Sequence, residues 1–232
     1  MTAGRTRRRI GADTWTTLFG AAYLALAANL LLVAVTLPLV LLLLGTDPRS
    51  SWLLISVAAV LAGPGLGALF TLFAAYAEQG WTAPVVRTFL HGWRATARRA
   101  AAIAATTSGV LVVLGVDIAA FWGRRAGAAA IPVLVVLIAL VLLTAIGALA
   151  LLAERPTARL RDLVRAALYL MVRRWYLSVV SVAVLSVLAA LVVQAPAFGL
   201  GLAPVPAWYL VWANTRHALR PVLPTRAVVV TP

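Results

Sequence analysis

The sequence contains no cysteine and no lysine, and only six of its 232 residues are acidic. Without cysteine the chain has no disulfide, no thiolate nucleophile and no cysteine ligand for a metal. The two histidines, His91 and His217, are isolated from each other and show no HExxH spacing. No Gly-x-Ser-x-Gly nucleophile motif occurs either. We therefore expect no catalytic residue, metal or cofactor, and we expect that the protein is not an enzyme.

Charged residues as a class are also scarce, at 11% of the chain, whereas 63% of residues are hydrophobic and the mean hydropathy is +1.01. Soluble domains carry about 25% charged and about 45–50% apolar residues. Lipid offers backbone N–H and C=O groups no partner, so apolar runs of about 20 residues are expected to be membrane helices. Five runs qualify, at 18–44, 52–77, 100–122, 128–153 and 176–195, and a shorter aromatic run at 198–213 closes the series. The sequence predicts an all-α, polytopic integral membrane bundle of about six transmembrane helices.

All 20 basic residues are arginine, and 17 of them fall before the first run, after the last run or in alternate segments between runs. This bias follows the positive-inside rule and predicts that both termini are cytoplasmic. Residues 1–17 form a basic cytoplasmic N-terminus, 18–213 the membrane domain and 214–232 a cytoplasmic tail. The arginines flank hydrophobic helices instead of forming one patch with interleaved aromatics, so anionic lipid headgroups are the expected counter-charge and no nucleic acid is expected.

Two arginine-rich segments, 82–99 and 157–175, show apolar residues at three- and four-residue spacing. This pattern predicts two amphipathic helices in the cytoplasmic interface. Two roles are open for these helices. The plainer one is that each helix is an extension that anchors the next membrane crossing, and the alternative is that each helix docks a partner protein. The candidate cytoplasmic docking face comprises Arg87, Arg94, Arg98, Arg161, Arg165 and Arg173.

A weak internal repeat relates Gly67–Leu90 to Gly147–Leu168. Each copy has a Gly-Ala-Leu motif late in an apolar run, then a glutamate, then an arginine-bearing amphipathic segment, and a gap of two residues aligns them. The chain is therefore expected to be three helical hairpins in series, each introduced by an arginine-rich segment.

The stretch GPGLGALF, residues 63–70, poses the question of a phosphate-binding loop. Such loops follow a strand, and a P-loop needs lysine, so that interpretation fails here. Pro64 predicts instead a kinked or briefly unwound helix near the bilayer midplane. The last run also carries prolines and glycines and, at about 24 Å of helix, is short for a bilayer of about 30 Å, so part of it is expected to be extended or re-entrant.

Two such breaks suggest a cavity, because irregular backbone in a membrane must pack on protein or line a wet space. The alternative is that the glycines allow close helix packing and the prolines give static kinks. The candidate cavity residues are Asn29, Gly63, Pro64, Gly65, Gly67, Asp117, Gln194 and Pro204.

The few polar residues in the apolar runs are most simply structural. Asp117 is expected to pair with Arg124 or Arg125, and Asn29 and Gln194 to form hydrogen bonds between helices. Glu78 and Glu154, at predicted cytoplasmic helix ends, are expected to pair with nearby arginines.

The sequence resembles the YesL family of bacterial membrane proteins, a domain of unknown function. The similarity rests on GPGLGALF at 63–70, on APVVRTFLHGWR at 83–94 and on the Asn29–Leu30 pair. The resemblance implies a multi-pass protein of the bacterial plasma membrane, often encoded beside carbohydrate ABC transporters and sensor kinases, with no established activity. It favours a non-enzymatic accessory or regulatory component associated with carbohydrate uptake, whose partner is an ABC transporter or a sensor kinase. The alternative function is a small transporter or substrate-binding subunit that uses the cavity at the helix breaks.

Overall fold

The computed structural model describes residues 4–47, 50–80 and 84–219, and over these residues it is helical, with no strand. The helices are α1 (Gly4–Gly45), α2 (Trp52–Gln79), α3 (Val85–Phe121), α4 (Gly127–Glu154), α5 (Leu160–Arg173), α6 (Trp175–Gln194), α7 (Pro196–Gly201) and α8 (Pro204–Leu219). Five of them, within α1, α2, α3, α4 and α6, are long and apolar enough to cross a membrane. The predicted all-α membrane bundle is confirmed.

Single helices run through two of the predicted boundaries of the arginine-rich segments. Helix α1 runs from Gly4 through the predicted end of the basic N-terminus at residue 17 without interruption. Helix α3 likewise joins the predicted interfacial segment 82–99 to the predicted crossing 100–122 as one helix of 37 residues. No proline or turn sequence interrupts the chain at the junction of these two predicted segments. Alanine-rich sequence on both sides of the junction favours helix. This segment is therefore continuous with the predicted crossing.

The second amphipathic segment is a separate helix, as predicted. Helix α5 follows a turn at 155–159 and ends at Arg173, directly before α6. It buries Leu163, Ala167, Leu170 and Met171 and packs against α4.

The sixth predicted crossing is two helices instead of one. The short helix α7 ends at Gly201, and Leu202 and Ala203 form a turn before α8 begins at Pro204. Proline is tolerated at this first helical position because its missing N–H would have no partner there. Helix α8 continues to Leu219, so the predicted start of the tail at residue 214 lies inside a helix. Residues 220–232 lie outside the described residues.

The second helix of each hairpin lies at the centre of the bundle. In the most apolar stretch of each helix, 50% of the residues are buried in α2 and 39% in α4. The buried share is smaller in the other helices, at 17% in α1, 11% in α6 and 6% in α3. Aromatic rings join α2 to α8: Phe70 contacts Trp208, and Phe73 contacts Tyr209 and Trp212. Helix α4 contacts both of these helices. The bundle therefore has an inner layer of α2, α4 and α8 and an outer layer of α1, α3 and α6.

Burial in the two predicted repeat copies follows the same register. Gly67–Phe70 and Gly147–Ala150 are buried in α2 and α4. In the arginine-bearing helices, the aligned pairs Val85 and Leu163, Phe89 and Ala167, and Gly92 and Leu170 are all buried. This agreement supports the repeat. The copies differ in that α3 continues into a long apolar helix, whereas α5 stops before α6.

Candidate functional site

Small residues line the contact between α2 and α3. A Cβ atom added at Gly63 would lie 2.5 Å from Ala104 Cβ, and one added at Gly67 would lie 3.2 Å from Ala100 Cβ. On the other helix, a Cβ at Gly92 would lie 2.8 Å from Thr71 Cβ. Spacing small residues four apart lets two membrane helices approach closely. The two helices are therefore held together through Gly63, Gly67 and Gly92.

The backbone does not unwind at Pro64, one of the two predicted forms of the break, because α2 is one helix from Trp52 to Gln79. Pro64 is buried. Gly65 faces α1, because a Cβ atom added at Gly65 would lie 3.0 Å from Val35 Cγ1. Contacts with α1 and α3 on two sides hold the helix through the proline. Gly63, Gly65 and Gly67 serve close packing, which is the alternative to a cavity, and none of them lines the grooves described below.

Replacing Gly63 with alanine should destabilise the bundle, because the new methyl group overlaps Ala104. Overpacking of a tight contact costs about 1–3 kcal/mol. The matched control is Gly109→Ala in α3, where an added Cβ meets open space, so the change should be neutral or slightly stabilising. Thermal unfolding of both variants in detergent measures the difference. Equal melting temperatures for the two would contradict the tight contact.

The register of this contact decides where the arginines of α3 lie. Gly63 opposes Ala104, Gly67 opposes Thr96, and Thr71 opposes Gly92, so α3 runs antiparallel along α2. The segment that carries Arg87, Arg94 and Arg98 therefore lies beside the C-terminal half of α2. It does not project beyond the bundle as a free interfacial helix.

All six arginines of the candidate docking face are exposed: Arg87, Arg94, Arg98, Arg161, Arg165 and Arg173. Arg87 and Arg94 line a groove of about 830 Å³ between α3 and Tyr23 of α1. Arg165 and Arg173 line a separate groove of about 680 Å³ on α5. The six arginines thus share no single groove.

Tyr169 holds one of the arginines on α5 in place. Arg173 donates a hydrogen bond of 3.0 Å to the Tyr169 hydroxyl, and its guanidinium lies 5.9 Å from the centre of that ring. This contact leaves Arg161 and Arg165 as the freer cations of α5.

Arg99 has a structural role that the sequence reasoning missed. Its guanidinium donates to the backbone oxygens of Pro156 and Ala158 and so ties α3 to the turn before α5. Arg99 lies three residues after buried Thr96 and one before buried Ala100. Arg99 therefore lies on α3 beside the buried face of the helix. This position is the sequence signal that could have distinguished Arg99, as a structural residue, from Arg98.

Asn29 connects α1 to the broken segment between α7 and α8. Its side-chain amide donates hydrogen bonds to Leu200 O at 2.7 Å and Gly201 O at 2.6 Å. These are carbonyls at the end of α7, which have no partner within the helix. The Asn29 side chain is buried, and its Oδ1 has no hydrogen-bond partner. The predicted interhelical role of Asn29 is confirmed, and it lies next to the turn that Pro204 ends.

Helix α7 folds back against α6 at this point. A Cβ at Gly199 would lie 2.6 Å from the backbone of Val192, so only glycine allows the approach. Gln194, at the end of α6, is exposed, and it has no part in the Asn29 contact.

Replacing Asn29 with leucine should destabilise the protein, because the partly buried carbonyls of Leu200 and Gly201 lose their donor. A buried polar group without a partner costs about 1–3 kcal/mol. Asn29→Asp should do the same, since an ionised carboxylate accepts hydrogen bonds but cannot donate them. Gln194→Leu is the control and should change little. Unfolding in mixed detergent micelles measures these differences, and an unaffected Asn29→Leu protein would refute the role of the amide.

Asp117 remains apart from the other candidate cavity residues. It is partly exposed on α3, and among the residues that the structure describes it forms no ion pair with Arg124 or Arg125. The predicted pair is wrong, because both arginines lie in the turn after Phe121 and point into open surface.

Glu154 joins the end of α4 to α8. Its Oε1 lies 3.0 Å from Arg216 Nε, and the Arg216 guanidinium lies 5.1 Å above the Trp212 ring. The Glu154 side chain is only 11% exposed. The predicted arginine partner of Glu154 is confirmed, whereas the partner of Glu78 stays a prediction.

Changing Glu154 to glutamine should destabilise the contact between α4 and α8. Removing one member of a mostly buried pair leaves the other charge without compensation, and because Arg216 is partly exposed we expect a loss of about 1–3 kcal/mol. Asp162→Asn, at an exposed position of α5, is the matched control. Thermal unfolding in detergent compares the two. A similar melting temperature for both variants would show that the pair contributes nothing measurable.

Comparison of the chain with protein-family models, with curated proteins and with solved structures gives no match. The similarity to the YesL family therefore stays a prediction based on residues 63–70 and 83–94.

Proposed function

We propose that this protein is a non-enzymatic, multi-pass accessory or regulatory component of a bacterial plasma membrane, and that it acts by docking on a partner membrane protein. The main support is the distribution of polar groups. The described interior consists almost wholly of apolar and small side chains, and the buried polar residues Asn29, Thr96, Ser181 and Thr215 are few and scattered. The exposed arginines lie outside that interior, which favours a role at the surface.

The surface of α5 is the best candidate for docking. One face of this helix is buried against α4, yet its other face exposes Leu168, Tyr169 and Val172 as well as arginines. Arg161, Arg165, Leu168 and Val172 recur at three- and four-residue spacing and so form one stripe along the helix. A second stripe that is both apolar and cationic suits a partner helix with apolar and acidic residues. In our proposal this end of the bundle and both termini are cytoplasmic, following the positive-inside rule.

The association with carbohydrate uptake rests on the similarity to the YesL family at residues 63–70 and 83–94. In this proposal the partner is an ABC transporter for carbohydrates or a sensor kinase. Protein–protein contact, and not chemistry, is the means of action.

Charge reversal on α5 tests this proposal. In a strain that lacks the native gene, Arg161→Glu with Arg165→Glu should lose most cross-links to its partner and should fail to restore sugar uptake. Both losses follow from repulsion of an acidic partner surface. Cross-linking mass spectrometry in native membranes and uptake of labelled sugars are the two measurements.

The matched control is Arg124→Glu with Arg125→Glu, which makes the same change of charge in the exposed turn between α3 and α4. This variant should cross-link and restore uptake like the wild type. If the α5 variant retains both properties, or if the wild-type chain cross-links only to itself, the docking proposal is refuted.

A small transporter or substrate-binding subunit is the second candidate, and one observation favours it. The break between α7 and α8 lies next to α1, and Asn29 Oδ1 there is buried without a partner. Broken helices near the middle of a membrane form the substrate sites of many transporters. Uptake of a sugar or metabolite by proteoliposomes that contain only this chain would favour this candidate over the accessory role.

A further inference from the structure

One face of α3 carries two arginines and a histidine along the groove that it forms with α1. Arg87, His91 and Arg94 lie at positions i, i+4 and i+7, so they follow one another along the helix over about two turns. The aromatic ring of Tyr23, on α1, lines the groove with them. This row is distinct from the stripe on α5, because it faces a neighbouring helix across an open space of about 830 Å³.

The groove combines positive charge with an apolar wall. No acidic side chain is among the described residues that line it, and within the described part of the chain neither Arg87 nor Arg94 pairs with a carboxylate. Most of its lining surface is apolar and comes from residues such as Val86 and Leu90. Two uncompensated guanidinium groups attract an anion, whereas the apolar wall favours a hydrocarbon chain.

We propose that this groove binds one anionic phospholipid. The phosphate lies between Arg87 and Arg94, where guanidinium groups provide paired N–H donors for phosphate oxygens. An acyl chain lies along Val86 and Leu90. The Tyr23 hydroxyl, an amphipathic group typical of the membrane interface, is placed to donate to the headgroup.

The surroundings of the groove favour a lipid over a soluble anion or a protein segment. Phe19 and Leu26 on α1 and Trp93 on α3 are large apolar side chains that are exposed next to it. Basic pockets between membrane helices near the cytoplasmic surface are typical sites for anionic headgroups. A free phosphate ion would use the arginines but leave the apolar wall without a partner. This inference does not rest on the docking proposal, which concerns α5.

The test compares lipid binding by the purified full-length chain in nanodiscs of phosphatidylcholine. Phosphatidylglycerol is added in steps, and native mass spectrometry counts the molecules retained. The wild type should retain one phosphatidylglycerol at low mole fraction. Arg87→Gln with Arg94→Gln should raise the mole fraction needed for half retention by about tenfold or more, because each arginine near the surface contributes a separate attraction.

The matched control is Arg161→Gln with Arg165→Gln, which removes the same charge from α5 near the same end of the bundle. It should retain the lipid like the wild type, and Arg87→Lys with Arg94→Lys should retain it in part. Melting temperatures in phosphatidylcholine alone establish that the variants are folded. If the double glutamine variant does not fold, the single variants Arg87→Gln and Arg94→Gln carry the test, each with about a threefold effect.

Three outcomes would overturn the proposal. Equal losses in the α3 and α5 variants would show that only general surface charge attracts the lipid. Full retention by the α3 variant would show that the groove is not the site. Displacement of the lipid by inorganic phosphate at millimolar concentration would assign the groove to a soluble anion.

Discussion

The close approach of α2 to α3 is the contact on which the rest of the bundle depends. Gly63, Gly67 and Gly92 carry no side chain, so the two helices approach until they contact Ala104, Ala100 and Thr71, over about two turns of α2. Within a membrane, apolar side chains gain little by turning from lipid to protein, and tight packing of small residues supplies the attraction instead. This contact also fixes the register of α3 and thereby the depth at which its arginines lie.

The bundle handles its few buried polar groups by short local hydrogen bonds. Thr71 and Thr96 donate to the carbonyls of Gly67 and Gly92, one turn earlier in their own helices. Two amides are exceptions: that of Asn29 serves the end of α7, and that of Asn214 donates to Leu177 O and Ser181 Oγ of α6. The Asn29 bonds stabilise the turn at Leu202 and Ala203, where the backbone between α7 and α8 is not helical. The same place is where an unpaired Oδ1 leaves room for a function other than docking.

The arginines divide into structural and available groups. Arg99 and Arg216 each make contacts that join separate helices, to backbone oxygens in one case and to Glu154 in the other. Arg87 and Arg94 line the groove between α3 and α1, whereas Arg161 and Arg165 lie on the exposed face of α5. Charge alone does not distinguish these groups, since all of them are arginines in short segments beside apolar runs.

The amino-acid sequence by itself determined that lipid surrounds the apolar segments of this protein and that these segments are helical. Long apolar runs have to be helical in lipid, so five spans, the separate helix α5 and the broken last segment were predictable. The repeat of Gly67 and Gly147 was also visible before the structure. Local sequence did not reveal whether α3 is one helix or two, because alanine-rich stretches on either side of Arg99 are compatible with both.

Only the tertiary structure decided what the glycines and the polar residues do. A Gly-Pro-Gly stretch is compatible with a break or with a tight contact, and the packing of α1 and α3 around α2 selects the contact. The pairing of Asn29 with Leu200 joins residues 171 positions apart, and no local pattern encodes such a partner. The sequence thus specifies which segments are helices, and the fit of small side chains between those helices specifies where each functional group lies.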